Sequence, residues 1–324
     1  NSPDVLAKLG GQNSAGEGIK VAIIDSGIRP DHPMFASNGH VRPDGLPSDD
    51  YCATVDSSFC NDKLVLARYY APTFLTHPDE YLSPQDFSGH GTHVAGTMVA
   101  LNNNSGVVGV IGSGQAGVHI VKIFNNSGNW TTASNLITAI QSCKDAGAKV
   151  VNMSLGGGSS NQTENNAMTN FYNGGMLLVA AAGNAGNTSL SYPASYNAVV
   201  SVAAVNSSGA LASFSQRNAQ VEISGPGVSV NSTWNNGGYN SISGTSMASP
   251  HVAGVAALVW SNHPQCSAAQ IRNALNATAE DRGTAGRDTS YGWGIVKAKA
   301  AHDYLTNNGC GGGGGNNPPP AGGA

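Results

Sequence analysis

The stretch of sequence that decides the fold is SGTSMASPHVAG, residues 243–254. Gly, Ser and Thr crowd its start, and apolar residues then recur at helical spacing from Met247 to Val259, which predicts a buried helix beginning close to Ser246. Pro250 agrees with this start, because proline is tolerated only near the beginning of a helix. A serine placed there faces free backbone N–H groups and the positive end of the helix dipole. Ser246 is therefore a candidate nucleophile, although a simple Ser/Thr cap before a core helix has the same pattern.

Two upstream segments supply the partners that a serine nucleophile needs, namely a base and an acid that orients it. They are VAIIDSG, residues 21–27, and SGHGTHVAG, residues 88–96. Asp25 ends an apolar, β-branched strand, and His90 opens a helical pattern. Together with residues 243–254, these segments resemble the Asp, His and Ser signatures of the subtilisin-like serine proteases, in that family's chain order. The resemblance extends from roughly residue 19 to residue 305.

The resemblance implies both a fold and a reaction. The implied fold is α/β, with a central, mostly parallel sheet and helices on both faces, and the alternation of strands and helices agrees with it. The implied reaction is hydrolysis of proteins or peptides through an acyl-enzyme. Ser246 would attack the peptide carbonyl, His90 would transfer the proton, Asp25 would orient the imidazole, and Asn184 would hold the oxyanion.

The composition excludes several other classes of function. Charged residues make up only 10% of the 324 residues and the formal net charge is −4, so we expect neither nucleic acid nor a membrane as a partner. No apolar run approaches the ~20 residues of a membrane span. No signal peptide is visible at Asn1, so the chain as given is predicted to be a processed, secreted form. The resemblance further implies that the enzyme is bound by its own propeptide before maturation and that it acts as a monomer.

The five cysteines favour two disulfides and one free thiol. Cys52 and Cys60 are close in sequence and flanked by loop residues, while Cys266 and Cys310 lie on either side of the last predicted helices. Cys143 falls in a helical pattern and is predicted to be a buried thiol. No CxxC pair suggests a zinc ribbon. The predicted pairing favours an oxidising, extracellular setting.

The rest of the chain divides into predicted elements and two irregular segments. Residues 1–309 are predicted to form the catalytic domain, with a loop insertion over 38–86 that either extends substrate contact or decorates the surface. Residues 310–324 form a Gly/Pro-rich linker, which suggests a further domain beyond it. Strands are predicted at 20–24, 65–70, 120–124, 150–153, 177–182, 199–204 and 221–223. Helices are predicted within 1–18 and at 90–101, 133–146, 246–260, 267–277 and 296–305.

The resemblance also implies how the substrate is held. Two segments would pair with the substrate backbone as added strands, and such main-chain pairing predicts broad tolerance. A pocket for the residue before the cleaved bond would have small, uncharged walls over 180–183 and 191–193, which predicts a preference for large apolar or aromatic residues. The residues assigned to substrate contact are Asn126, Ser127, Gly128, Ser154, Leu155, Gly156, Ala182, Gly183 and Ser191.

A structural calcium ion is implied by the loop at residues 101–107, which resembles the family's calcium loop. Asn103 would supply its side chain and Leu101, Ser105 and Val107 their carbonyls, since calcium prefers oxygen ligands. The family's acidic ligand follows a His-Pro pair, but here Met34 stands in that place. Asp49 or Asp50 would have to substitute. His93, three residues after His90, is expected to be structural rather than a metal ligand, because no HExxH motif is present.

Two other functions fit parts of the sequence. An α/β-hydrolase-type esterase would use Ser246, Asp281 or Asp288, and His302 in that order, but Ala248 breaks the Gly-x-Ser-x-Gly elbow that it needs. Replacing His90 would leave such an esterase active. A non-catalytic binding module on the same fold would leave Ser246 unmodified by a serine-directed phosphonyl fluoride.

Overall fold

A seven-stranded parallel sheet forms the centre of the molecule. The computed structural model describes residues 15–37, 39, 44–70, 82–113, 115–126, 128 and 132–311. The strands lie side by side in the order β2-β3-β1-β4-β5-β6-β7, and each neighbouring pair is parallel. Strands β8 and β9 form a separate antiparallel hairpin. The strands are β1 Lys20–Asp25, β2 Leu64–Tyr69, β3 Gly117–Lys122, β4 Val150–Met153, β5 Leu177–Ala181, β6 Val199–Val205, β7 Val221–Pro226, β8 Val230–Thr233 and β9 Tyr239–Ile242.

Helices cover both faces of the sheet. Val21 and Ile23 of β1 belong to the same apolar cluster as helices α2, α5, α6 and α7. Ala22 and Ile24 belong to a second cluster with helices α3 and α4. The strands are buried on both faces, which agrees with their largely apolar sequences. This confirms the predicted three-layer α/β architecture. The helices are α1 Tyr51–Thr54, α2 His90–Val99, α3 Ala133–Asp145, α4 Gln162–Asn173, α5 Thr245–Asn262, α6 Ala268–Ala277 and α7 Ala298–Asn308.

The strand order creates a crevice at the carboxyl edge of the sheet. Strands β3 and β2 extend from one side of β1, and β4 to β7 extend from the other. In such sheets, ligands bind outside the carboxyl ends of the strands where the order reverses. Asp25 is the last residue of β1, Ser154 follows β4, and Asn184 follows β5 closely. The topology therefore brings three of the predicted site residues to one edge.

Three parts of the fold were not predicted from the sequence, namely helix α4, the β8–β9 hairpin and the short helix α1. Helix α4 is capped by Asn161, whose side chain accepts the Glu164 N–H, but it buries only a few of its side chains and so shows a weak apolar pattern. The β8–β9 hairpin turns through residues 234–238. Within the predicted insertion, the strand predicted at 65–70 is present as β2, an edge strand of the main sheet. The predicted helix near the amino terminus and most of the linker lie outside the described residues.

Both predicted disulfides are present, Cys52–Cys60 and Cys266–Cys310, and Cys143 is a buried free thiol. These observations confirm the pairing inferred from the sequence. Among the helices of the described residues, none has the length and apolar character needed to cross a membrane.

Candidate active site

Asp25 and His90 are joined by a short hydrogen bond. The distance from His90 Nδ1 to Asp25 Oδ1 is 2.7 Å, and the Ser26 N–H donates to the same oxygen at 2.7 Å. Asp25 is buried, whereas the His90 side chain is one-third exposed. Because Asp25 takes the Nδ1–H, the lone pair of His90 is on Nε2. The imidazole is therefore oriented to accept a proton at Nε2.

Glycines allow helix α2 to approach the end of β1. A Cβ at Gly91 would lie 2.2 Å from the Gly27 carbonyl oxygen. Gly89 has a left-handed φ of 88°, and a Cβ there would lie 2.4 Å from the Trp234 indole. Only glycine permits both approaches. The close packing is what lets the imidazole of His90 reach a carboxylate at the end of a strand.

The surroundings of His90 favour its charged form. Burial lowers its pKa, but the negative charges of Asp25 and Asp86 outweigh burial, so the pKa of His90 is raised above its ordinary value. One turn along, buried His93 donates Nε2–H to the Val230 carbonyl at 2.9 Å, and burial lowers the pKa of His93 to about 4. This contact supports the structural role expected for His93.

Ser246 lies in the first turn of helix α5. Its backbone N–H has no carbonyl one turn earlier in the helix to accept it. Pro250 has no N–H to give to the Ser246 carbonyl, so the Ser154 hydroxyl donates to that carbonyl instead, at 2.7 Å. Asn152 Nδ2 in turn donates to Ser154 Oγ at 3.0 Å, and Ser249 Oγ donates to Asn152 Oδ1 at 2.6 Å. A buried polar network thus fixes the start of α5 against strand β4.

The Ser246 hydroxyl donates to the Ser154 carbonyl at 3.3 Å. Among the described residues, no hydrogen bond joins this hydroxyl to His90. Helices α2 and α5 nevertheless pack against each other, and catalytic hydrogen bonds are often loose in free enzymes.

Thr245 fixes the orientation of the Asn184 amide. The Thr245 N–H and Oγ–H both donate to Asn184 Oδ1 at 2.8 Å, and the Gly183 N–H donates to Thr245 Oγ1 at 3.1 Å. Because Oδ1 is engaged, the NH₂ group is the end of the amide left for the cleft beside Ser246. The arrangement suits an oxyanion donor.

A cavity of about 380 Å³ opens beside Ser246. Buried Gln216 braces it, accepting the Ala185 N–H at 2.9 Å and donating to the Ser189 carbonyl at 2.7 Å. Among the described residues, none that lines the cavity is charged. Of the residues predicted for substrate contact, its lining includes Leu155, Gly156, Gly183 and Ser191.

Other predicted substrate residues lie elsewhere. Asn126 and Gly128 are in the loop after β3 and do not line this cavity, and Asn126 Oδ1 accepts from Lys122 Nζ at 3.3 Å. Ser127 lies outside the described residues. Ser154 does not line the cavity, but it holds the start of helix α5 as described above.

The prediction that Ala182 forms a pocket wall needs a correction. Ala182 is buried in a small cluster with Ala203 and Val221, whereas Ala181 lines the cavity. In extended chain successive side chains point to opposite sides, which agrees with Ala181 and Gly183 lining the cavity while Ala182 between them does not.

Three residues that shape the site were missed in the sequence analysis. Gln216 carried no signal, since a glutamine outside any motif is unremarkable. Thr245 is part of the serine motif, but its contact with Asn184 spans 61 positions. Asp86 lies four residues before His90, a spacing that could have suggested a capping role.

The donor set of the predicted calcium loop does not fit a tight calcium site. Met34 is fully buried in an apolar cluster with Ala100, Leu101 and Val107, at the position where the resemblance requires an acid. Asn103 Oδ1 accepts the N–H of Ser105 within its own loop at 3.2 Å. Neutral oxygens without a carboxylate bind calcium weakly, because affinity depends on ligand charge.

The two alternative acids also have other partners. Asp50 accepts the N–H groups of Ala53 and Ala67, each at 3.0 Å, and Asp49 pairs with Arg68. Within the described residues, the one cluster of three potential metal-ligating side chains is Asp50 with Cys52 and Cys60, whose sulfurs are joined in a disulfide.

The residues of the esterase alternative are not assembled. His302 lies on helix α7 and shares a hydrogen bond with His263, with 3.1 Å between His302 Nδ1 and His263 Nε2. Asp281 accepts the Gly286 N–H at 2.8 Å, and Asp288 accepts the Tyr291 N–H at 2.7 Å. Each of these three side chains therefore forms hydrogen bonds within its own part of the structure.

A parallel sheet that carries Asp25, His90, Ser246 and Asn184 near one edge has the architecture of a serine endopeptidase. The sequence profile of the Subtilase family matches residues 16–294. Subtilisin DY from Bacillus licheniformis is 44% identical over 220 residues, which cover 67% of this chain and 78% of that protein. A thermostable alkaline protease from Halalkalibacterium halodurans is 47% identical over 219 residues, covering 68% of this chain and 59% of that protein.

Comparison with a solved structure supports the same family. The crystal structure of a psychrophilic subtilisin-like protease from the Antarctic psychrotroph Pseudoalteromonas sp. AS-11 superposes with a TM-score of 0.77 at 30% identity, covering 93% of this chain and 96% of that one. The chain therefore belongs to the subtilase family. It is a serine endopeptidase, and its substrates are proteins.

Proposed function

We propose that the chain cleaves peptide bonds with Ser246 as nucleophile, His90 as general base and acid, and Asp25 as the group that orients the imidazole. The observation that carries this proposal is the 2.7 Å bond between Asp25 and His90, which leaves Nε2 free as a base at the carboxyl edge of the sheet. Ser246 lies at the start of a helix that packs on the His90 helix.

The steps follow from these positions. The Ser246 hydroxyl gives its proton to His90 Nε2 as Oγ bonds to the substrate carbonyl carbon. The resulting oxyanion accepts hydrogen bonds from the Asn184 NH₂ group and the Ser246 N–H. The imidazolium, stabilised by Asp25, then protonates the leaving amine, and water hydrolyses the acyl-enzyme by the same route.

The cavity beside Ser246 supports a broad specificity with a preference for large apolar or aromatic residues before the cleaved bond. Its walls, as far as the structure describes them, are glycines, alanines, two leucines and uncharged polar residues. The segment at Leu155 and Gly156 would pair with the substrate backbone, a contact that reads no side chains.

Labelling with a serine-directed phosphonyl fluoride tests the nucleophile. We expect one adduct, on Ser246, and loss of peptidase activity in proportion to labelling. His90→Ala should abolish labelling at the same reagent concentration, whereas His302→Ala should leave it unchanged. Labelling that survives His90→Ala would favour the esterase alternative, and an unmodified Ser246 would favour a binding module.

The pH profile tests the role of His90. The base must be neutral, and its pKa is raised by Asp25 and Asp86 against the effect of burial. We therefore expect kcat/KM to rise with pH along a limb centred above the ordinary histidine value of about 6.5. A flat profile between pH 5 and 9 would contradict the assignment.

The setting of the enzyme belongs to the same proposal. Two disulfides support a secreted protein, since such bonds persist in oxidising compartments. We also propose synthesis with a propeptide, action as a monomer, a catalytic domain over 1–309 and a linker over 310–324. Calcium takes no part in the proposed mechanism. Binding at the 101–107 loop stays a prediction from the resemblance, and the lack of an acid there argues against it.

A further inference from the structure

A second buried carboxylate lies beside the proposed triad. Asp86 is only 5% exposed. Its Oδ1 accepts from Ser26 Oγ at 2.8 Å, from the N–H groups of Ser88 and Gly89 at 3.1 Å, and from Ser88 Oγ at 3.3 Å. Its Oδ2 accepts from Thr92 N and Oγ1 at 2.8 and 2.6 Å. Both oxygens of the Asp86 carboxylate are therefore engaged by donors from the residues around the start of helix α2.

Asp86 completes the start of the helix that carries His90. The residue in the capping position is Gly89, which has no side chain to cap the helix. The first N–H groups are satisfied instead by three side chains: His90 N–H by Ser88 Oγ at 3.2 Å, Gly91 N–H by Ser26 Oγ at 2.8 Å, and Thr92 N–H by Asp86. Ser26 Oγ donates to Asp86, and the Ser88 hydroxyl lies 2.9 Å from Ser26 Oγ and 3.3 Å from Asp86 Oδ1, so the three capping side chains form one network that ends on Asp86.

The same network reaches the acid of the triad. Ser26 Oγ donates to Asp86, accepts from Gly91 N–H, and belongs to the residue whose N–H donates to Asp25 Oδ1. Asp86 is thus linked through one serine both to the helix of His90 and to the strand end of Asp25. A change at Asp86 alters the relative position of the two catalytic groups.

Few charged groups of the described residues lie near His90, so little there offsets the effect of the negative charge of Asp86 on the imidazole. Asp25 at the end of β1 and Asp86 before α2 are the negative groups. His93 on α2 itself is buried and neutral, and His251 on α5 is held neutral by burial, which lowers its pKa. The adjacent β8–β9 hairpin contributes Ser232 and Thr233, which are uncharged and bond to the carbonyls of α2.

We propose that Asp86 is a positioning residue of the catalytic site, which caps the His90 helix, fixes the imidazole against Asp25 through Ser26, and keeps the imidazole basic with a second negative charge. This inference rests on the proposed function and goes beyond it, since Asp86 touches no reacting atom. It explains why a helix that begins with glycine and histidine is held firmly enough for catalysis.

Asp86→Asn tests the proposal because it keeps the shape and removes the charge. We expect kcat to fall at least tenfold with KM within about twofold, and the acid limb of kcat/KM to move to lower pH by about half a unit or more, since an opposite charge no longer stabilises the imidazolium. The matched control is Asp56→Asn, a half-buried aspartate that caps the 3₁₀ helix at Ser57–Phe59 and accepts from Ser58 rather than from any residue of the site. Its limb and kcat should match wild type.

Ser26→Ala separates position from charge, because it cuts the link and keeps the carboxylate. We expect kcat to fall several-fold with the acid limb unmoved. If Asp86→Asn does not fold, a Ser26→Ala enzyme with wild-type kcat overturns the proposal. A folded Asp86→Asn enzyme that loses thermal stability but keeps both kcat and the limb also overturns it and assigns Asp86 a purely structural role. In either case the wild-type enzyme still hydrolyses peptides, whereas an inactive wild type would refute the proposed function itself.

Discussion

Single hydrogen bonds decide what each side chain at the site can do. Asn184 could point either end of its amide into the cleft, and the two donors of Thr245 select the NH₂ end. Asp25 selects the tautomer of His90 in the same way. Thr245 and Asp25 make these selections without reacting themselves, so the chemistry depends on how the neighbours of each reacting group are placed.

Asn184→Ala should lower kcat by about 10²–10³-fold with little change in KM, because the amide contacts the oxyanion only in the transition state. That range, about 2.7–4 kcal/mol, was established on an oxyanion asparagine of a subtilisin. Steady-state kinetics on one peptide substrate would measure it, with the exposed Asn170→Ala on helix α4 as control. A rise in KM with unchanged kcat would show that Asn184 binds the ground state instead.

The sequence predicted the principal groups of the site better than it predicted their supports. Asp25, His90, Ser246 and Asn184 each sit in or beside a recognisable local pattern, and the structure places them near one edge of the sheet. Gln216 and Asp86 act through partners distant in sequence, as in the bond from Asp86 to Ser26 across 60 positions. Such contacts exist only after folding, so a single sequence gives little sign of them.

Helices and strands differ in how clearly their sequence patterns predict them. The strands of the parallel sheet are apolar runs bounded by turns, and all seven lie close to predicted segments apart from shifts at their ends. Helix α4 buries only Glu164, Met168 and Phe171, so its polar surface hides the helical period. The β8–β9 hairpin has mixed burial and gains its stability from contacts with helix α2, which no local pattern reveals.

The two disulfides should contribute unequally to stability. The Cys266–Cys310 bond closes a loop of 44 residues, and Cys52–Cys60 closes one of 8. Loop-closure entropy predicts losses of about 4 and about 2.5 kcal/mol in the free energy of unfolding when each bond is removed. Urea unfolding of the Cys266→Ser/Cys310→Ser and Cys52→Ser/Cys60→Ser double variants would measure the difference. Equal losses would show that the bonds stabilise by another route.

Removing calcium should have little effect on the 101–107 loop. Met34 packs with Leu101 and Val107 where an acidic ligand would be needed, so apolar contacts hold the loop. We expect chelation to change Tm by less than about 2 °C, the shift that roughly 1 kcal/mol gives a domain of this size.

The variant Met34→Asp provides the positive control for this loop. It should lower Tm in chelator, because it buries an unpaired carboxylate, and regain stability when calcium is added. A wild-type Tm that already rises by many degrees with calcium would show that the ion binds in spite of the missing acid.

The molecule as a whole buries several bases in their neutral forms. Burial lowers the pKa of Lys63 to about 7 and that of His119 to about 3. Among the described residues, neither the Lys63 ammonium nor either His119 ring nitrogen has a hydrogen-bond partner. Such groups favour folding only when they are not protonated.

Stability should therefore rise with pH in two ranges. Between about pH 3 and 6.5, the unfolded chain binds more protons than the folded chain at His119 and His93. Between about pH 7 and 10.5, it does so at Lys63. The free energy of unfolding therefore increases with pH in both ranges. Tm measured by calorimetry from pH 4 to 10 would test this sign.

Lys63→Met assigns the upper range to one residue. It should raise the free energy of unfolding at pH 7 by about 1–3 kcal/mol, because an unsatisfied buried polar group is removed, and it should flatten the rise above pH 7. The exposed Lys299→Met is the control. A wild-type Tm that falls steadily from pH 7 to 10 would contradict the argument.

The bond between Cys266 and Cys310 also determines where mechanical force enters the protein. Cys266 lies shortly after the end of helix α5, and Cys310 lies just after helix α7. Tension applied to the chain beyond Cys310 is shared between α7 and the sulfur bridge, which passes part of it to the segment between α5 and α6. If the enzyme were immobilised by its carboxyl terminus, tension would therefore reach the end of helix α5, which carries Ser246. We expect its turnover to change under that tension.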